Sequence, residues 1–181
     1  MANRYNPSSI APIKNKTIFL DTNVLIYLFG NGTPTNANWE DQYARLYTSL
    51  NNQDNRFVVD FVVIAEFVNR AIRFEYDNYL LEKHLTKNEL SYKKYRDLPE
   101  GQEALKDIYL IVKNDVLATF EVVERSFSKS DLLMMCHVDS LDFLDKAIVK
   151  ICEENDLILL TNDKDYKHSQ IDILSCNRAI C

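Results

Sequence analysis

Apolar and polar positions divide this chain into short β-type runs and longer helical stripes. The first clear run is Lys16-Thr-Ile-Phe-Leu-Asp21-Thr-Asn-Val-Leu-Ile-Tyr-Leu-Phe29. Thr17, Ile18 and Phe19 favour a strand, and a second apolar run begins at Val24. Between them Asp21 breaks the apolar pattern, and Thr22 and Asn23 are residue types that cap helices. The stretch therefore predicts strand, acidic turn, helix. Residues 30–38, with Gly32 and Pro34, read as a loop. Trp39, Tyr43, Leu46, Tyr47 and Leu50 then recur at helical spacing. Phe57-Val-Val is a second strand that ends on Asp60, a candidate N-cap for a helix over 61–74.

Residues 75–120 read as helical throughout, with Leu105, Ile108, Tyr109, Val112, Val116 and Phe120 in one stripe behind Pro99. Glu121-Val-Val-Glu is a short strand candidate. Two further helices are predicted over 130–135 and 141–152, the second with Leu141, Leu144, Ile148, Ile151 and Cys152 on one face. Leu157-Ile-Leu-Leu160 reads as a buried strand and residues 171–174 as a last short one. Strands that alternate with helices predict an α/β layer fold on a parallel sheet.

At 181 residues the chain fits one domain. No apolar run approaches the ~20 residues of a membrane span, and the polar start lacks the apolar core of a secretory signal, so the expected location is cytoplasmic. Cys136, Cys152, Cys176 and Cys181 are far apart and are expected to stay free thiols. The net charge of -6 repels phosphate backbones, so binding of nucleic acid would need a local basic patch, a metal ion or both. The three glycines, at 30, 32 and 101, form no phosphate-cradling loop, which argues against the common nucleotide cofactors.

Carboxylates recur at matching places in this pattern. Asp21 ends the first strand, Asp163 follows the 157–160 strand, Glu66 lies within one helix and Asp145 within another. Ligands of open parallel sheets bind in the crevice beyond the carboxyl ends of the strands, where Asp21 and Asp163 fall. Capping alone would explain Asp21 about as well, and single helix acids are more often solvated than functional. Glu66 is unusual because Ile64, Ala65, Phe67 and Val68 surround it, and an acid on an apolar face is costly without a compensating cation or proton. Oxygen-only clusters suit Mg²⁺ or Mn²⁺, which bind carboxylates and retain water for a phosphate substrate. His84, His137 and His168 show no ligand spacing.

Four motifs in order resemble the PIN-domain ribonucleases, a family that includes the VapC toxins of bacterial toxin–antitoxin pairs. They are Ile-Phe-Leu-Asp21-Thr-Asn, Asp60-Phe-Val-Val-Ile-Ala-Glu66, Asp145-Lys-Ala-Ile, and Leu-Leu-Thr161-Asn-Asp163-Lys-Asp165-Tyr166. They span about residues 16–75 and 120–175. The resemblance implies a three-layer α/β/α sandwich with a central parallel sheet of four to five strands. It divides the chain into an irregular arm over 1–15, one PIN-like domain over 16–175 with a helical insertion at 76–119, and a tail over 176–181. It also implies that Asp21, Glu66, Asp145 and Asp163 hold Mg²⁺ or Mn²⁺ and carry catalysis, supported by Thr161. Thr22, Asn23 and Asp165 are further supporting residues, and Asp142 is an outer or structural acid. The implied activity is metal-dependent endoribonuclease hydrolysis of RNA. An antitoxin protein and a homodimer are candidate partners.

Arg70 and Arg73 follow Glu66 at i+4 and i+7, on roughly one helix face, and are candidates to touch the scissile strand; simple pairing of Arg70 with Glu66 explains its spacing equally well. Lys164 and Lys146 each adjoin a proposed ligand and are positioned by sequence to meet phosphate or screen the acids. Ser91-Tyr-Lys-Lys-Tyr-Arg96 mixes bases with aromatics, as single-stranded RNA sites do, although a solvated helix face has the same composition. An aspartyl-phosphate phosphatase would need an acid where Asn23 stands. The competing reading from another class is a catalytically silent PIN-like interaction module, against which retention of all four acids counts.

Overall fold

The strand signals resolve into a single parallel sheet in the computed structural model, which describes residues 2–30 and 37–181. In chain order the elements are β1 (Arg4–Tyr5), β2 (Thr17–Leu20), α1 (Thr22–Phe29), α2 (Ala37–Asn51), β3 (Arg56–Val59), α3 (Phe61–Glu82), α4 (Tyr92–Asp97) and α5 (Pro99–Ile111). A π-helical segment (Val112–Val116) joins α5 to α6 (Leu117–Thr119). Then come β4 (Glu121–Val122), α7 (Lys129–Met135), α8 (Phe143–Asn155), β5 (Ile158–Leu160), a 3-10 turn (Lys164–His168) and β6 (Ile173–Leu174). The loop expected over 30–38 lies largely outside the described residues, and Ala37 and Asn38 already belong to α2.

The strand order is β1-β6-β5-β2-β3-β4, so the chain runs outward from β2 through β3 to β4 and then returns to β5 on the other side of β2. Crossovers between parallel strands are right-handed as a rule, so the helices of the outward steps and those of the return belong on opposite faces; α1 packs on α2 and α3, and α7 on α8. The direction reverses between β2 and β5, whose register pairs Phe19 with Leu159 and Leu20 with Leu160. A crevice opens at the carboxyl ends of such a strand pair. Ile18, Phe19, Leu20, Leu159 and Leu160 are fully or almost fully buried, which is why these strands read as continuous apolar runs rather than alternating ones.

One edge strand, β1, raises the count to six, above the four or five expected. It falls in the stretch read as an irregular arm. Arg4–Tyr5 pairs with Ile173–Leu174, and the Arg4 guanidinium donates to the carbonyls of Ile171 (2.8 Å), Lys167 (3.0 Å) and Ser169 (2.5 Å). A two-residue edge strand is too short to leave a periodic signal. Nor is the segment after residue 175 a loose tail, since Cys176 and Ile180 pack into the core.

Helix boundaries depart from the predicted stripes in three places. Residues 75–120 are not one helical run: α3 stops at Glu82, where His84 takes a left-handed conformation (φ 54°) and Leu85 N–H returns to the Leu80 carbonyl at 2.9 Å. Tyr109 is exposed, because Ile108, Val112, Val116 and Phe120 stay inward at a four-residue spacing through the π-helical turn. Leu144 is exposed as well, since the first turn of α8 carries it outward while Ala147, Ile148, Ile151 and Cys152 meet the sheet. The insertion closes on the back of α3 through Tyr76, Tyr79, Tyr92 and Tyr95, with ring centroids 5.1–5.7 Å apart. Tyr95 is buried, so the Ser91–Arg96 aromatics form packing rather than a stacking surface for RNA. All four cysteines are free. Among the described residues no helix is long and apolar enough to cross a membrane.

Candidate active site

Asp21 leaves β2 at the point where the sheet reverses. Its N–H donates to the Leu160 carbonyl at 3.1 Å, which ties the ends of β2 and β5 together. Its side chain caps α1, with Oδ1 accepting from Thr22 N–H at 2.7 Å. The other oxygen, Oδ2, accepts from Thr161 Oγ1 at 2.6 Å and Asn23 Nδ2 at 3.3 Å. Capping and a central place in the site are thus properties of one carboxylate. Only 5% of Asp21 is exposed. Burial raises its pKa to about 6, the charges of Glu66 and Asp163 push the same way, and the bonds from Thr161 and Thr22 oppose them.

Glu66 comes from α3, whose start is set by Asp60 accepting from Val63 N–H at 2.9 Å. Glu66 Oε2 accepts from Thr22 Oγ1 at 2.8 Å, so Thr22 and Thr161 hydroxyls hold two different acids. Its side chain is about one-third exposed, at 35%, rather than sunk in the apolar surroundings its sequence neighbours suggest. Asp163 follows β5; its N–H donates to Thr161 Oγ1 at 2.9 Å, and its Oδ1 accepts from Asp165 N–H at 2.9 Å to start the 3-10 turn. Asp145 stands in the first turn of α8 in a capping box with Asp142, bonded at 2.8 and 3.1 Å. Tyr166 OH donates to Asp145 Oδ1 at 2.7 Å. Burial raises the Asp145 pKa, and the charges of Asp142 and Asp163 add to the rise.

The four predicted acids therefore form a linked electrostatic set, Asp21 with Glu66 and Asp163, and Asp163 with Asp145. Among the described residues, no three His, Cys, Asp or Glu side chains converge closely enough to grip a cation. The donor chemistry nonetheless fits a hard divalent ion. Every available donor is an oxygen, and Asp21 is raised first by burial and then by the like charges of Glu66 and Asp163, which a cation would offset.

Among the predicted supporting residues, Thr22, Asn23 and Thr161 touch the acids directly, Asp142 is an exposed helix cap, and Asp165 is exposed. Arg70 Nη1 donates to Asn23 Oδ1 at 2.8 Å and lies 3.8 Å from Glu66 Oε1, which puts it on the rim. Arg73 is turned elsewhere: its guanidinium stacks over Tyr92, 4.7 Å from the ring centre, because the inserted α4 offers an aromatic face there. Lys164 is exposed on the 3-10 turn. Lys146 pairs with Asp139 at 3.2 Å and donates to the Met135 carbonyl, so it braces the α7–α8 connection instead of screening the acids.

Sequence reasoning missed the phenols and amides beneath the acids. Tyr43 OH lies 2.8 Å from the Thr161 carbonyl, 3.1 Å from Asn162 Oδ1 and 3.2 Å from Ser175 Oγ. Asn177 Nδ2 donates to the Asn162 carbonyl at 2.9 Å. Tyr43 looked like one more apolar stripe residue, and nothing in its spacing marked the hydroxyl.

The PIN domain family matches residues 18–172. Comparison with curated proteins finds no match. Among solved structures, a chain in the crystal structure of VapBC2 from Rickettsia felis bound to a DNA fragment from their promoter is 18% identical, covering 88% of this chain and 98% of that one, with a TM-score of 0.46. The family match takes in every strand except β1 and β6 and all four acids, and the chain belongs to the PIN domain family.

Proposed function

We propose that the protein is a divalent-metal-dependent endoribonuclease of the VapC type, the toxin of a toxin–antitoxin pair. The observation that carries this reading is Asp21, a fully buried carboxylate at the sheet's reversal point, raised to about 6 beside Glu66 and Asp163. Asp21, Glu66, Asp163 and Asp145 would hold Mg²⁺ or Mn²⁺. A cation bound there supplies charge neutralisation at a phosphodiester and lowers the pKa of a coordinated water. The chain's own residues do the rest. Thr161 and Thr22 orient Asp21 and Glu66 through their hydroxyls, and Tyr166 orients Asp145. Arg70, partly exposed on the rim, contacts the incoming RNA backbone, and Lys164, exposed next to Asp163, adds positive charge.

The test is RNA cleavage with Mn²⁺, with EDTA and an Asp21→Asn variant as controls. Cleavage that requires Mn²⁺ and falls by orders of magnitude in the variant supports the assignment. The competing reading, a catalytically silent PIN-like interaction module, draws on the spread of the acids, no three of which meet at ligating distance among the described residues. Millimolar Mn²⁺ or Mg²⁺ should raise the melting temperature if the site is real, because a ligand of the folded state alone stabilises it by mass action. A flat response would favour the silent module. Co-expression with the neighbouring reading frame tests for an antitoxin, and light scattering tests for a homodimer.

A further inference from the structure

Tyr27 lies one turn beyond Asn23 in α1, so both side chains leave the helix on one face. Asn23 bridges Asp21 and Arg70, at 3.3 and 2.8 Å. The Tyr27 hydroxyl oxygen accepts from Asn162 Nδ2 at 2.9 Å, and Asn162 stands between Thr161 and Asp163 in the loop after β5. Tyr27 is therefore flanked by the Asp21 side of the site through Asn23 and by the Asp163 side through Asn162. Its ring is fixed from behind by stacking on Tyr43, with centroids 5.2 Å apart and planes at 27°.

The direction of these bonds matters. Asn162 turns its amide nitrogen to Tyr27 at 2.9 Å and its Oδ1 to the Tyr43 hydroxyl at 3.1 Å, whose single proton is shared with the Thr161 carbonyl at 2.8 Å. That makes the Tyr27 oxygen an acceptor, and its own proton has no acceptor among the described residues. The side chain is only partly buried. Burial and the neighbouring Asp21 and Asp163 keep the phenol protonated, with Arg70 close enough to oppose them. A donor held rigidly beside carboxylates, with its proton unused, suits an anionic oxygen arriving from outside.

We propose that Tyr27 is a substrate-binding donor which, with Arg70, hydrogen-bonds a non-bridging oxygen of the phosphodiester brought to the acids. This rests on the nuclease reading above and adds to it a residue outside the acidic motifs. A phenol in this place discriminates for a phosphate oxygen by geometry, whereas Arg70 contributes charge that salt can screen.

The test is Tyr27→Phe, which keeps the ring stack and removes only the hydroxyl. Three quantities are compared with the wild-type chain: affinity for a short single-stranded RNA in EDTA at low salt, Mn²⁺-dependent RNA cleavage, and the melting temperature with and without Mn²⁺. The expected result is several-fold weaker RNA binding and a kcat/KM lower by about 10- to 100-fold. The apoprotein should melt within about 2 °C of wild type, and its Mn²⁺-induced shift should be unchanged. Unchanged RNA affinity and cleavage in Tyr27→Phe, with an active wild type, overturn the donor role alone. Loss of cleavage together with loss of the Mn²⁺ shift also overturns it, since Tyr27 would then only prop the Asn162–Asp163 loop. A wild-type chain that cleaves no RNA with Mn²⁺ removes the nuclease reading itself and the donor role with it.

Discussion

The hydroxyl of Tyr166 donates to Asp145 Oδ1 at 2.7 Å, joining the turn after β5 to the first turn of α8. Tyr166 is 1% exposed, so its phenol has no water to fall back on, and the bond to Asp145 is what satisfies it. Burial and the nearby Asp21 and Asp145 charges drive the phenol pKa far above its usual value. Tyr166→Phe leaves Asp145 with one donor fewer in a partly desolvated place. It should cost about 1 kcal/mol in urea unfolding and lower Mn²⁺-dependent cleavage about tenfold. Wild-type stability and rate in this variant would show that Asp145 holds its position without help.

Asp21 couples the site to pH. Its pKa lies above that of an unfolded Asp, at about 6, so the folded state holds the proton more tightly. The stabilising protonated form is fully present below about pH 4 and is lost as pH rises through 6. At pH 7 the ionised group costs the metal-free fold about 3 kcal/mol. Asp21→Asn should therefore stabilise the metal-free protein near pH 7 and flatten its stability between pH 4 and 6. Parallel calorimetric scans of both proteins in EDTA read this out, and identical pH profiles would refute the assignment.

Among the described residues Arg70 has two partners, Asn23 at 2.8 Å and Glu66 at 3.8 Å, and its side chain is 44% exposed. An exposed pair of this kind contributes little to stability. Arg70→Ala should leave the melting temperature within about 2 °C of wild type, weaken RNA binding and reduce the salt slope by about one. Anisotropy titrations at several salt concentrations decide the matter. An unchanged slope would make Arg70 a partner of Asn23 and Glu66 only.

Gly101 is the tight point of the insertion. A Cβ there would meet the Tyr95 carbonyl oxygen at 2.2 Å and Arg96 Cα at 2.9 Å, both of them backbone. Gly101→Ala adds helix propensity to α5, worth up to about 1 kcal/mol. The clash outweighs it, since α4 cannot yield without moving Tyr95 off Tyr76 and Tyr79. A net loss of about 1–3 kcal/mol in chemical denaturation is expected, and a neutral or stabilised variant would mean that α4 shifts freely.

The chain's own residue pattern determined the alternation of strands and helices, the burial of β2 and β5, and the caps Asp21 and Asp60. These are local matters: an apolar run of four residues, or a carboxylate one position before a helix, acts on its immediate neighbours and is legible in them. Asp21 and Asp163 could be picked out as candidates for the same reason, because strand ends in a parallel sheet gather at one edge, whereas Glu66 and Asp145 sit on helices and were singled out by their resemblance to the PIN motifs. Tertiary structure alone decided what surrounds them. The bond from Thr161 to Asp21 spans 140 positions, and that from Tyr43 to the Thr161 carbonyl spans 118. Arg73 lost its expected place to Tyr92, and Arg4 became an edge-strand clamp, through contacts with no sequence period. A side chain's periodicity tells which way it faces from its own element, whereas its hydrogen-bond partner depends on which other element the fold brings opposite.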